Sequence, residues 1–132
     1  MSLDVRAVVE ACTRASEDDS LRFSRQLVRL ANVAVEAYYA DLRRSVRTYY
    51  LYGGEAIDVV CTRIDSSVAR SFDQARVESA IRESQAGACT YKQFCAQIMT
   101  AGCAGFLVSL IGRRVLYLGR SAETYLQPIP PY

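Results

Sequence analysis

Between Ile81 and Glu123 the chain is punctuated so tightly that few architectures can accommodate it. Helical spacing leads up to Gly87, whose missing Cβ suits the left-handed position just past a helix end. Thr90-x-x-Gln93 is a capping box that starts a second helix, in which Tyr91, Phe94, Cys95 and Ile98 form one apolar stripe. Gly102 stops that helix. Two strands follow, residues 105–111 and 114–119, joined at Gly112-Arg113. The stretch from Phe106 to Ile111 is apolar on both faces, which predicts a strand in the middle of a sheet.

The first half repeats the vocabulary less plainly. Val5, Val8, Val9 and Cys12 fall at i, i+3, i+4 and i+7 and predict a helix to about Ala15. Ser20 is a suitable N-cap for a second helix with Phe23, Leu27, Leu30 and Ala34 on one face and Arg22, Arg25 and Arg29 on the other. Residues 35–42, 46–52 and 55–61 then read as strands, with Gly53-Gly54 as a two-residue hairpin turn and 63–71 as a loop. Asp73 caps the third helix. A short strand at 124–126 closes the series, and Pro128, Pro130 and Pro131 end the ladder because proline has no N–H to donate.

The expected fold class is therefore α+β, a largely antiparallel sheet of five or six strands in the order ααβββααββ(β), with the helices mainly on one face. At 132 residues the chain fits one domain, with 1–34 as an N-terminal helical pair and 35–132 as the core. No internal repeat, low-complexity run or linker is apparent. The longest apolar run, 101–111, is interrupted by Gly102, Gly105 and Ser109 and falls short of the roughly 20 residues a membrane span needs. Asp4 and Glu10 interrupt the N-terminal apolar residues, which argues against a secretory signal.

Composition excludes more chemistry than it suggests. The chain has no histidine, which removes Ser-His-Asp and Cys-His nucleophiles, His-based zinc sites and imidazole acid/base catalysis. Cys12, Cys61, Cys89, Cys95 and Cys103 are odd in number, widely spaced and free of any Cys-x-x-Cys, so they read as reduced thiols of a cytoplasmic protein. Cys103, placed where a helix gives way to a strand, reads as the one thiol in a turn-like context, although a helix C-terminus raises a thiol pKa. No metal and no cofactor is expected. A net charge of +2 is too small to imply nucleic acid, and the basic stripe of Arg22, Arg25 and Arg29 with Arg43, Arg44 and Arg47 reads as a solvated surface.

Nine tyrosines remain to be explained. Alternation sends Tyr50 and Tyr52 to one side of their strand and Tyr49 to the other. If the helices cover one face, tyrosines with Arg47, Arg114 and Arg120 would line the opposite one, a surface suited to a partner protein, with a homodimer as one version, or to a small anionic ligand. The candidate binding residues are Tyr50, Tyr117, Arg114, Arg120 and Glu123. Asp58 reads as a polar-face residue of its strand. The leading expectation is a non-catalytic binding or interaction module; the alternative is a small enzyme or ligand-binding protein whose Tyr/Arg/Glu pocket takes a small anionic metabolite.

A family likeness runs through Tyr38-Tyr39-Ala40-Asp41-Leu42, Arg47-Thr48-Tyr49-Tyr50, Gln85-Ala86-Gly87, Thr90-Tyr91-x-x-Phe94, Ala101 to Phe106, Gly112-Arg113-Arg114-Val115-x-Tyr117-x-Gly119-Arg120 and Glu123-Thr124. On these motifs, from about Val35 to Pro130, the chain resembles a family of small bacterial proteins catalogued as a domain of unknown function, some of whose members carry a phage-envelope-protein label. The resemblance implies a bacterial, phage-related context and supplies no catalytic or binding residue. The family pattern ends in Gly-Glu-x-His, where this chain has Ala122-Glu123-Thr124-Tyr125, so any role of that histidine in relatives is missing here.

Overall fold

A computed structural model describes residues 4–129. In chain order these form α1 (Val5–Glu17), α2 (Phe23–Asn32), β1 (Val35–Asp41), β2 (Val46–Leu51), β3 (Ala56–Val60), α3 (Gln74–Gln85), α4 (Tyr91–Thr100), β4 (Cys103–Ser109), β5 (Arg114–Gly119) and β6 (Thr124–Pro128). All six strands pair antiparallel in one sheet of order β3-β2-β1-β4-β5-β6. The α+β class and the element order expected from sequence are those observed, with the sixth strand present.

The two halves of the chain repeat one plan. Residue n of the first half corresponds to residue n + 68 of the second: Val35 and Cys103 open β1 and β4, Val46 and Arg114 open β2 and β5, and Ala56 and Thr124 open β3 and β6. Strand lengths of 7, 6 and 5 residues recur in each half. The positive-φ residues obey the same offset, in the pairs Asp19/Gly87, Ala34/Gly102, Ser45/Arg113 and Gly54/Ala122. So do loop hydrogen bonds: Cys61 N donates to Ser45 O, and Ile129 N to Arg113 O. β1 and β4 pair at the centre in a register that is its own mirror under this exchange, since Ala37 faces Ser109 and Asp41 faces Gly105. The expectation of no internal repeat is thus corrected. Only eight positions are identical between 5–60 and 73–128, Tyr49/Tyr117 and Ser16/Ser84 among them, too few and too scattered to stand out in sequence.

Several local expectations shift for identifiable reasons. The helix α2 starts at Phe23 with Arg22 at its cap and no side-chain cap bond. Ser20 is instead held in the turn after α1, where its N–H donates to Asp18 Oδ1. In the β2–β3 turn only Gly54 has positive φ, and the turn closes by Leu51 N donating to Glu55 O, so it is one residue longer than a two-residue hairpin. The strand β4 begins at Cys103 because the left-handed Gly102 turns the chain directly into the sheet. Pro128 is the last residue of the edge strand β6 and pairs with Arg114; Pro130 and Pro131 lie outside the described residues.

Helix starts follow the expected chemistry at Asp73, which accepts from Arg76 N, and at Thr90, whose capping box with Gln93 is complete. The helices lie on one face. Tyr38, Tyr49, Phe106, Val108, Val115 and Tyr117 point into the core beneath them. The opposite face carries Tyr39, Leu107, Leu116 and Leu126 in one row across four strands.

Gly102 and Ala34 occupy equivalent left-handed positions but differ in surroundings. A Cβ at Gly102 would run into the Ser71 carbonyl, whereas Ala34 already carries one at a φ that costs an L-residue about 1–2 kcal/mol. Gly102→Ala is expected to lose at least about 2 kcal/mol in urea unfolding, and Ala34→Gly to gain about 1 kcal/mol. Equal and opposite behaviour, with Ala34→Gly the damaging change, would contradict this account.

Candidate functional site

The largest fully buried side chain is that of Arg47, on the helix-covered face of β2. Its guanidinium donates to Tyr91 Oη at 2.8 Å, Tyr49 Oη at 3.1 Å and Ser16 Oγ at 3.2 Å, and lies 4.6 Å from the Tyr38 ring centroid and 5.5 Å from that of Tyr91. No described carboxylate pairs with it, and Nε finds no acceptor among the described residues. Burial alone would push the group toward its neutral form. The oxygens of Tyr91, Tyr38 and Tyr49 outweigh that and hold its pKa well above the ordinary arginine value. The side chain therefore plugs the first repeat as a charged, flat group between aromatic faces, and the space left beside it, about 30 Å³, is room for one water molecule.

This corrects the expectation that Arg47 lines an open face or joins a basic surface with Arg43 and Arg44. The alternation that carries Tyr49 under the helices carries Arg47 with it, since the two are separated by one residue on the same strand. That signal was present in the sequence, but an arginine is so rarely buried whole that composition argued the other way.

The equivalent place in the second repeat is open. Val115 stands where Arg47 would be, and a cleft of about 1150 Å³ lies between α2, the end of α3, the α3–α4 turn and the β4–β6 half of the sheet. Phe23 and Leu27 form one wall, Ser84 and Gln85 the other, and Phe106 and Tyr117 the floor. It meets solvent at Phe23, which is 41% exposed, and is closed at its floor, where Phe106 and Tyr117 are only 4% and 5% exposed. The aromatic floor continues inward through Phe94, whose ring centroid is 6.3 Å from Phe106 and 6.4 Å from Tyr117.

The two halves differ because one helix is latched down and the other is not. Arg14 on α1 donates to Val60 O at the end of β3 and to Glu17, and Glu17 in turn accepts from Thr62 N at 2.6 Å. Burial raises the Glu17 carboxyl pKa, but the bonds from Thr62 and Arg14 outweigh it and leave the group below the usual carboxylate range. On α3 the counterpart Arg82 faces Glu78 instead, and the counterpart of Glu17 is the uncharged Gln85. Accordingly Ser16 is buried, while its equivalent Ser84 is exposed on the cleft wall.

The five expected binding residues do not come together. Tyr50 and Arg114 are exposed on the uncovered sheet face, with Arg114 Nε donating to Gly112 O. Tyr117 lies under the helices, its hydroxyl 3.4 Å from Gln127 Oε1. Arg120 is exposed and donates to Val68 O, and Glu123 accepts from Ser121 N within the β5–β6 turn. Only Tyr117 lines the cleft. Asp58 sits on the uncovered face as expected, accepting from Thr48 Oγ1. Cys103 is fully buried in β4, not in a turn; burial pushes its thiol up to about 11, and that of Cys95 to about 12. Among the described residues no group of three or more His, Cys, Asp or Glu could hold a metal ion, and no helix is long and apolar enough to cross a membrane.

A family model described as Protein of unknown function (DUF1398) matches residues 11–127, which takes in nearly all of both repeats. The chain belongs to this family. The resemblance drawn from the sequence motifs is thus borne out at the level of the family. No curated protein matches the chain.

If Arg47 is the plug that closes the first repeat, its loss leaves a hole and three hydroxyls short of a partner. Arg47→Ala is expected to cost about 3–5 kcal/mol, and Tyr91→Phe about 1.5–3 kcal/mol, in urea unfolding. A change under about 0.5 kcal/mol for both variants would mean the network contributes nothing net.

Proposed function

We propose that this protein is a non-catalytic binding module whose site is the second-repeat cleft. The observation that carries the proposal is the contrast between equivalent places in one repeated plan, plugged by the chain's own Arg47 in one half and open in the other. A preformed, more apolar than polar concavity with an aromatic floor and polar groups on its walls has the usual character of a small-molecule site. Its ionisable groups support binding without chemistry. The side chain of Asp19 is engaged by Tyr91 N, and burial raises the Tyr38, Tyr91 and Tyr117 hydroxyls well above their usual pKa. No imidazole exists to move a proton near neutral pH. A phage-related context is part of the family resemblance, and the binding role does not depend on it.

Thermal-shift screening of a panel of neutral, anionic and cationic small molecules tests this directly. Compounds that bind the cleft are expected to raise the wild-type melting temperature and to lose their effect in Ser84→Trp, which fills the mouth from an exposed wall position. Hits that act equally on both proteins, or a panel with no hit, would count against the cleft.

The uncovered sheet face supports a second role, self-association. Its apolar row of Tyr39, Leu107, Leu116 and Leu126 is flanked by Asp58 on β3 and Arg114 on β5. Two copies stacked about a two-fold axis along the strands would bring the acidic side of each toward the basic side of the other. Six strands about 4.8 Å apart and roughly 20 Å long offer on the order of 1,100 Å² for the pair, just above what a specific interface needs. Light scattering at high protein concentration is expected to give twice the mass of one chain, and Leu116→Glu to return it to one. A wild-type monomer would remove this role.

A further inference from the structure

We propose that the cleft takes a flat, delocalised cation, a guanidinium or amidinium group carried by a small ligand, in the place that the Arg47 side chain fills in the first repeat. The proposal rests on the cleft being the binding site and adds the chemical class of its ligand. The first repeat serves as the template, because there the fold has already solved the problem of holding such a group away from water.

Four residues surround the Arg47 guanidinium: Tyr38 and Tyr91 with their rings, and Tyr91, Tyr49 and Ser16 with their hydroxyls. Under the 68-residue offset these become Phe106, Phe23, Tyr117 and Ser84, and all four line the cleft. The pairing of their strands is preserved as well, since Tyr38 faces Tyr49 across β1 and β2 just as Phe106 faces Tyr117 across β4 and β5. The two aromatic faces and two of the three hydroxyls are therefore retained. What is lost is the arginine itself, replaced by Val115, and the Tyr91 hydroxyl, since Phe23 carries none.

The retained set favours a cation over its alternatives. Aromatic faces attract a guanidinium electrostatically and repel an anion. Among the described residues the Tyr117 hydroxyl has only the long contact to Gln127, to which it donates, so its lone pairs can accept from a donor-rich ligand, whereas the equivalent Tyr49 hydroxyl is occupied by both Thr13 and Arg47. Among the residues lining the cleft the charged side chains are Asp19 and Arg22, which balance. No cluster of basic groups lines the walls, as recognition of an anionic metabolite would require. The size of the cleft leaves room for an aromatic or alkyl body behind the cationic head, and the amides of Gln85, Gln93 and Gln127 on its lining suit the polar parts of that body.

Benzamidine, its neutral isostere benzamide and the anion benzoate form a probe set that varies charge at nearly constant shape. Isothermal titration is expected to show benzamidine binding wild type at least about tenfold more tightly than benzamide, with benzoate weaker still. Val115→Arg supplies the missing plug, and is expected to raise the melting temperature and abolish benzamidine binding. Phe23→Ala, at an exposed wall position that does not endanger folding, is expected to weaken benzamidine about five- to tenfold and leave benzamide little changed. Benzamide or benzoate binding as tightly as benzamidine, with all three lost in Ser84→Trp, would overturn the cationic ligand and leave the cleft as the site. Absence of benzamidine binding while other panel compounds bind the cleft would do the same. Absence of any binding would overturn both.

Discussion

The structure depends on a positive charge buried without a negative one. Ion pairs inside proteins often fail to recover the desolvation of two charges, and Arg47 avoids the second desolvation by taking neutral partners. Two π faces and three hydroxyl oxygens spread the stabilisation over α1, β1, β2 and α4. The residue thereby ties the first repeat's outer helix to a helix of the second. With the latch from Arg14 and Glu17 to the end of β3, it makes the first half of the molecule solid.

The second half then differs from the first in its filling though not in its plan. Two copies of an ααβββ unit meet at the β1–β4 pair and complete a single sheet, so neither copy leaves β1 or β4 as an open edge. A repeated unit offers the same internal space twice. Here one copy fills that space with its own arginine and the other leaves a cleft beside it. Arg47 is matched by Val115 at the plug and Glu17 by Gln85 at the latch, so neither contact is repeated in the second half.

Much of the fold was legible because its signals are local. The capping box of Thr90 and Gln93, the Asp73 cap, the left-handed glycines at 87 and 102 and the alternation in β2 and β5 each depend on residues a few positions apart. The candidate site was far less legible. Tyr117 was singled out, but with Arg114, Arg120 and Glu123, its neighbours in sequence; the sheet sends Arg114 to the uncovered face and the β5–β6 turn claims Glu123. Phe23, expected in the core from its helical spacing, stands on the cleft wall because α2 begins beside a space that α3 does not fill.

The sequence by itself determined the secondary elements, the antiparallel α+β class, the exclusion of histidine chemistry and the family, since each of these follows from residue type and short-range spacing. Only the tertiary structure decided that the two halves are equivalent, that an arginine serves as core and that its counterpart is a cleft. Equivalence at a distance of 68 residues is carried by backbone register and left-handed turns rather than by side-chain identity. The difference between plug and cleft lies in how far a helix stands from a sheet, a quantity set by contacts among residues that the chain brings together only when folded.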